Sequence, residues 1–424
     1  MKRNGIVAFD CDGTYCQKEV REGRKIRSKE IPPDIPLLIQ LLERGFVVAV
    51  CSGNSAKHII RVLMRPLFST MYQQGKLQLA ENVYAFFQLG GGLARFSRDN
   101  LAKIQKAKNW QAAEQLLFGA KGDGFATDHL DVDYVKRQSI DLAKHGAMLE
   151  DLMDAATSKY KQLFDAEKSR YKRSCHRRSD FENPEPELRR IQLDGNDNER
   201  VVQYTLRPLL SEKHYTAASN RGLKYEDSIR YKIAEYMNGR LEQQGAGLSA
   251  TAAGEASVDI TNHDLSKKTA LEHLRGLLHE HSENILYFGD ELHSGGNDVV
   301  VPLDLKITSF SVGHEAIFHP YVFAAPEPGP RGTFSVLHSL LGFSSTHQGN
   351  NSVVDAYREE HARQIILRKL DQLSADTLQS MALVATAGAR DQNMRDIHKL
   401  VAEQVRSRHE NQRPPGASHW TDSS

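Results

Sequence analysis

The chain is poor in the residues that would mark a secreted, membrane-bound or fibrous protein. It has only four cysteines, Cys11, Cys16, Cys51 and Cys175, among 424 residues. Their spacing is neither that of a disulfide framework nor that of a zinc site, so thiols kept free in a reducing compartment, the cytoplasm, are expected. Nothing resembles a transmembrane span or a secretory signal, because the opening MKRNGIVAFDCDG meets acidic residues after one short apolar run. Charge of one sign is not in excess either. Lys+Arg (55) against Asp+Glu (54) leave +1, which gives no overall pull toward nucleic acid or anionic lipid. No internal repeat is visible. A 40% hydrophobic content over this length is enough for two or three cored domains.

The apolar residues fall in short, continuous runs. Residues 5–9 (GIVAF) and 46–51 (FVVAVC) read as strands buried on both faces, the kind found in parallel sheets. Between them Ile35, Leu38, Ile39 and Leu42 recur at helical spacing, and Gly45 ends the pattern. Residues 55–68 read as a second helix. Strand and helix in alternation predict a parallel sheet covered by helices. After about residue 97 the text turns polar and helix-prone, with a basic run at Lys168–Arg178 and a Pro/Glu-rich loop at Asn183–Glu187. Strands are predicted at 199–206 and 248–260, helices at 226–243 and 266–280, and further buried strands at 284–288 (NILYF) and 308–312. A Pro/Gly-rich connector from about 326 leads to helical segments, including 353–373 and 393–405, and to a disordered tail.

Chemistry-bearing residues gather at the ends of these runs. Asp10 and Asp12, in DCDGT, follow the first strand, and two carboxylates this close need a cation. Gly13 allows the tight turn. Ser52, in Ser52-Gly53-Asn54, ends the second run, where its hydroxyl and the neighbouring N–H groups can meet a phosphate. Lys267 opens a helix and can neutralise a phosphoryl group. Gly289-Asp290 follows NILYF, and Asn297-Asp298 comes after six intervening residues. The three later segments, taken singly, have ordinary readings as turns or a solvated lysine; their order and position beside DCDGT at strand ends carry the argument.

That order resembles the haloacid dehalogenase superfamily of phosphohydrolases and phosphomutases. The spacing from Gly289-Asp290 to Asn297-Asp298 is similar to eukaryotic-type phosphomannomutases, and Ala256–Ile260 resembles the strand that returns from cap to core in both these and the Cof-like sugar phosphatases. The resemblance implies that Asp10 is the nucleophile and Asp12 the general acid and base. It implies that Ser52 and Lys267 hold the phosphoryl oxygens, and that Mg2+ is held by Asp10, the Asp12 carbonyl and Asp290. Asn297 and Asp298 would support the metal's waters or orient Lys267. Gly53, Asn54, Asn297 and Arg207 join Ser52 and Lys267 as expected substrate contacts, and Asp298 joins the expected metal set.

The implied fold is α/β: a Rossmann-like parallel-sheet core at 1–97 and 256–325, an α/β cap with the polar basic insert at 98–255, and a helical extension at 326–424. The expected function is Mg2+-dependent hydrolysis of a phosphomonoester of a small metabolite, a sugar phosphate being the best guess, through an aspartyl phosphate. A hexose phosphomutase is the alternative within the class; mutases of this kind present several cap arginines, and Tyr204–Leu210 does not carry the rest of that set beyond Arg207. A non-catalytic binding scaffold is the alternative outside it, and the presence of both Asp10 and Asp12 argues against it. The basic run reads as a solvated surface rather than an RNA contact. The apolar stripes of the C-terminal helices read as packing on the core or, alternatively, as a homodimer contact. Gly90-Gly91-Gly92 reads as a tight turn.

Overall fold

The computed structural model describes residues 3–17, 21–22, 25–26, 31–167, 183–193, 199–209, 228–253, 257–263, 265–294, 296–313, 316–346 and 353–371. The basic run 168–178, Cys175, the predicted helix 393–405 and the tail lie outside them. The protein forms two compact units, Met1–Val354 and Asp355–Ser424.

In the first unit the strands in chain order are β1 (Gly5–Phe9), β2 (Arg21–Glu22), β3 (Lys25–Ile26), β4 (Phe46–Cys51), β5 (Val83–Phe87), β6 (Gly92–Arg95), β7 (Glu185–Gln192), β8 (Glu199–Arg207), β9 (Leu248–Ala253), β10 (Ser257–Asn262), β11 (Ile285–Gly289), β12 (Thr308–Ser311) and β13 (Val322–Ala324). The helices are α1 (Ile35–Glu43), α2 (Ala56–Ile59), α3 (Arg65–Gln73), α4 (Arg98–Gln105), α5 (Trp110–Phe118), α6 (Val132–Gln138), α7 (Leu142–Glu167), α8 (Ile229–Gln243), α9 (Lys267–Leu278), α10 (Val300–Leu305) and α11 (Pro330–Thr346).

Seven strands make the main sheet in the order β13-β12-β11-β1-β4-β5-β6. All its pairings are parallel except the last, in which β6 returns antiparallel to β5. Every residue of β1, β4, β5 and β11 is buried, which is why their sequences are continuous apolar runs rather than alternating ones. Ile6, Ala8, Val47, Ala49 and Phe86 meet Leu271 and Leu274 of α9 in one apolar cluster. Helix α1 is capped by Asp34, whose carboxylate accepts from Leu37 N at 3.0 Å.

A second, four-stranded antiparallel sheet has the order β7-β8-β10-β9. One face carries Tyr204, Leu206, Val258 and Ile260 into a separate apolar cluster with Leu149, Met153 and Tyr160 of α7 and Ile233, Met237 and Leu241 of α8. The α/β architecture expected from the sequence is therefore present as two cored layers. Residues 98–138, counted with the insertion in the sequence, pack on the seven-stranded layer. The ring of Phe118 in α5 lies 5.9 Å from that of Phe68 in α3, and Tyr134 of α6 sits in the α9 cluster with its hydroxyl donating to Gly90 O at 2.7 Å.

Three local expectations are corrected. The single strand expected over 248–260 is two antiparallel strands, β9 and β10. The loop expected over 183–187 turns into β7 at Glu185, with Pro186 tolerated because β7 is an edge strand. The Pro/Gly-rich connector expected from about 326 (PEPGPRG) ends at Gly329, whose φ is +68°, and α11 begins at Pro330.

The second unit is described over residues 355–371, the greater part of α12 (Val353–Asp371). Within it Arg358 pairs with Asp355 at 2.6 Å. Among the described residues no helix is long and apolar enough to cross a membrane.

Candidate active site

The carboxyl ends of β1, β4 and β11, with the start of α9, bring together most of the residues singled out in the sequence. Asp10 follows β1, and its N–H donates to Phe288 O of β11 at 2.9 Å. Its carboxylate accepts from Cys11 N at 2.8 Å. The chain then turns through Gly13, φ +79°, whose N–H donates to Cys16 O at 2.7 Å. A Cβ at Gly13 would lie 2.4 Å from Asp290 Oδ2, so the loop and the third-strand carboxylate sit directly against each other. From the far side α11 supports this loop: Thr333 donates its hydroxyl to Thr14 O at 2.7 Å.

At the end of β4, Ser52 is buried and its hydroxyl accepts from Asn54 N at 3.1 Å. Asn54 turns its side chain to Asp12, donating from Nδ2 to Oδ2 at 2.7 Å. Gly53 faces Leu89, whose Cδ2 would be 3.2 Å from an added Cβ.

Lys267 is the first residue of α9, set there by the Ser266 cap, which accepts from Thr269 N at 3.3 Å. Its buried ammonium lies 3.1 Å from Asp10 Oδ2, 2.5 Å from Asp298 Oδ1 and 3.0 Å from Asn297 Oδ1. Asp298 is fully buried, and its oxygens already serve other groups. Oδ1 also accepts from Tyr287 OH at 2.5 Å, and Oδ2 accepts from Glu291 N at 3.0 Å. Gly289 is small because a Cβ there would lie 2.5 Å from Asp298 Oδ2.

Burial lifts the Asp10 carboxyl well above the usual carboxylate range; Lys267 opposes this, and Asp298, Asp290 and Asp12 add to it. Burial also works against the charge of Lys267, but Asp10 and Asp298 outweigh it and hold the ammonium above its ordinary range. The two shifts describe one situation. A single lysine is shared among several carboxylates, so negative charge is in excess around Asp10 and favours a further cation there. Tyr287 is held as a phenol by burial and by Asp298.

The donor set fits a hard divalent cation. Carboxylate oxygens of Asp10, Asp290 and Asp298 all lie within 4.8 Å of one another. Cys11, Asp12 and His58 also approach within that distance. There, however, the Cys11 thiol faces Cys16 Sγ at 3.7 Å and is held protonated by that contact and by burial, which is not the state of a metal ligand.

Sequence reasoning missed three residues. His58 lies 2.8 Å from Asp12 Oδ1 through Nε2, Tyr287 binds Asp298, and Thr333 holds the loop that follows Asp10. Tyr287 lies inside the NILYF run and reads as core; His58 and Thr333 carry no local signal. Arg207 ends β8 and forms an ion pair with Glu187 of β7, both side chains being about half exposed. It sits beside the buried Asp259, whose carboxyl is raised by burial against the pull of Arg189 and Arg207.

The family model described as eukaryotic phosphomannomutase matches residues 216–316. No curated protein matches the chain by sequence. Solved structures that resemble it include the sucrose-phosphatase from Synechocystis sp. PCC6803, at 12% identity and a TM-score of 0.40, covering 80% of this chain and 98% of that one. N-terminally truncated IMP-nucleotidase from Plasmodium falciparum aligns at 13% identity and a TM-score of 0.44, over 79% of this chain and 67% of that one. A haloacid dehalogenase-like hydrolase from Bacteroides thetaiotaomicron aligns at 10% identity and a TM-score of 0.40, over 80% and 100%. Asp10, Ser52, Lys267 and Asp290 thus stand in the expected order, at strand ends and a helix start of one mostly parallel sheet, and the last two fall within the residues matched by the phosphomannomutase model.

Proposed function

We propose that the protein is a Mg2+-dependent phosphatase of a small phosphorylated metabolite, with a sugar phosphate as the leading candidate, working in the cytoplasm. The observation that carries this reading is the division of labour between two carboxylates two residues apart. Asp10 is in contact with the Lys267 ammonium, as a nucleophile facing a phosphoryl group requires. Asp12 is held instead by Asn54 and His58, away from that cation, as a proton-transfer group requires.

In the first half-reaction an Asp10 oxygen attacks phosphorus and the P–O bond to the alcohol breaks. The alcohol oxygen keeps the electron pair and takes the proton from Asp12. In the second half Asp12, now a carboxylate, takes a proton from water, whose oxygen attacks phosphorus. The bond to Asp10 breaks, phosphate leaves, and Asp12 is again protonated. Lys267 neutralises phosphoryl oxygens throughout, and Asn297 and Asp298 keep its ammonium in place. Ser52 offers its hydroxyl to the same oxygens. Asp10, Asp290 and the Asp12 carbonyl would hold Mg2+, which when bound offsets the charge of nucleophile and phosphate. Asp298 contributes by orienting Lys267.

We take the four-stranded sheet with α7 and α8, residues 142–262, as the cap that selects the substrate. The family-model match to phosphomannomutase keeps a mutase as the second reading; it is discriminated by dependence on a sugar bisphosphate activator. The deciding experiment is phosphate release from a panel of phosphorylated metabolites with Mg2+. Release from one class that disappears in chelator and in Asp10→Asn is expected. Activity that survives either change removes this reading.

A further inference from the structure

Asp12 is clamped on both oxygens. Asn54 Nδ2 donates to Oδ2 at 2.7 Å and His58 Nε2 lies 2.8 Å from Oδ1. The direction of the second bond follows from the group behind it. Arg61 NH2 lies 3.4 Å from His58 Nδ1, and a guanidinium can only donate. Nδ1 is therefore the acceptor, and Nε2 carries the hydrogen that goes to Asp12.

Both clamps come from one short piece of chain. Asn54 lies in the turn after Ser52, and His58 is four residues later in α2, so the two side chains reach Asp12 from neighbouring positions across the helix start. The Asp12 side chain still keeps 20% of its surface open, so it is pinned without being sealed off.

We propose that His58 is the positioning residue for the general acid. With each oxygen held by its own donor, the carboxyl group cannot rotate about its last torsion. The lone pair or proton that faces the leaving alcohol is thereby fixed while Asp10 attacks. The segment carrying Ser52 thus ties the grip on the phosphoryl group to the alignment of the acid. This inference rests on the phosphatase reading and adds a residue to it.

The test uses the dependence of the effect on the leaving group. An alkoxide needs a proton as it departs, whereas 2,4-dinitrophenolate does not. The quantity to measure is kcat/KM, which covers the steps up to alcohol release and is insensitive to the later hydrolysis of the aspartyl phosphate. For His58→Ala with Mg2+, kcat/KM on glycerol 2-phosphate should fall by about 30-fold or more, within the range general acids contribute. On 2,4-dinitrophenyl phosphate it should fall by less than about threefold, because no proton is needed there. Asp12→Asn should show the same selectivity, more steeply. His58→Gln, which keeps a side-chain N–H donor, should recover about tenfold of the loss on the alkyl ester. A merely structural role would lower both esters alike and would not be rescued in this selective way.

An equal loss on both esters in His58→Ala, or no loss on the alkyl ester, overturns the inference while leaving the phosphatase reading intact. Where the metabolite panel yields a better alkyl ester, that ester replaces glycerol 2-phosphate; a wild-type enzyme that releases no phosphate from the panel or from either ester overturns the phosphatase reading and this inference with it. Should the alanine variant fail to fold, His58→Leu, which fills the space without a donor, is compared with wild type on the two esters and decides the matter by the same selectivity.

Discussion

Lys267 Nζ stands between Asp10 Oδ2, 3.1 Å away, and Asp298 Oδ1, 2.5 Å away, with its side chain almost completely buried. The first residue of a helix thus carries the positive charge on which Asp10, at the end of β1, and Asp298, in the turn before α10, depend. Replacing it by Met leaves Asp298, itself fully buried, without its counter-charge. Lys267→Met should therefore lose about 3 kcal/mol or more of stability, the usual consequence of breaking a buried pair from one side. Activity should fall at least about 100-fold. Urea denaturation and phosphate release measure the two effects; a variant as stable and active as wild type would show that the ammonium is dispensable.

Asp10→Asn tests the opposite sign. The amide cannot form an acyl phosphate, so turnover should vanish. It also removes one of the charges crowded with Asp12, Asp290 and Asp298, so the metal-free variant should melt at or above the wild-type temperature. Its melting point should respond little to Mg2+. Turnover within tenfold of wild type would remove Asp10 as nucleophile.

Magnesium should stabilise the protein in a pH-dependent way. The folded-state pKa of Asp10 is raised above its unfolded value, so the folded protein keeps a proton that the unfolded chain has already lost. Across that window, from the ordinary carboxylate range upward, the metal-free protein loses stability as pH rises. A cation competes with that proton, so the gain in melting temperature on adding Mg2+ should grow from about pH 4.5 toward pH 8. A gain that is flat or shrinks over this range would contradict the assignment.

The thiols near the site should be unreactive. Cys11 is held protonated by Cys16 and by burial, and Cys51 by burial. Peptide mapping after iodoacetamide at about pH 8 should find both unmodified in the native protein and alkylated in urea. Rapid native alkylation of either would show that the site opens more readily than its packing indicates.

How much of this was legible in the sequence depended on where each residue's partner lies along the chain. The strands GIVAF, FVVAVC and ILYFG could be read because burial on both faces forces an unbroken apolar run. The start of α9 could be read because Ser266 is its cap. The edge strand β7 was hidden: Glu185, Pro186, Glu187, Arg189 and Arg190 look like a solvated loop, and an edge accepts such residues. The break between β9 and β10 was hidden because the residues on both sides of Gly254 share one composition. At the site, Asp10 and Asp12 announce themselves as a pair of neighbours. His58 does not, since its partner lies 46 residues upstream and the two meet only once β1 and β4 are side by side.

The position of β1 in the main sheet has a consequence for how the protein is made. One neighbour, β4, begins at Phe46, while the other, β11, begins at Ile285. A ribosome adding roughly 5–20 residues per second therefore leaves β1 waiting for some tens of seconds before its second partner is made. For most of that interval Asp10 lacks Lys267, and throughout it Asp10 lacks Asp290 and Asp298 and Thr14 lacks the helix that carries Thr333. The intervening layer, with its own apolar interior, is complete by Asn262 and can fold meanwhile. The surroundings of Asp10 are thus among the last the nascent chain completes, and a chain terminated anywhere before Lys267 carries Asp10 without that lysine, Asp290 or Asp298.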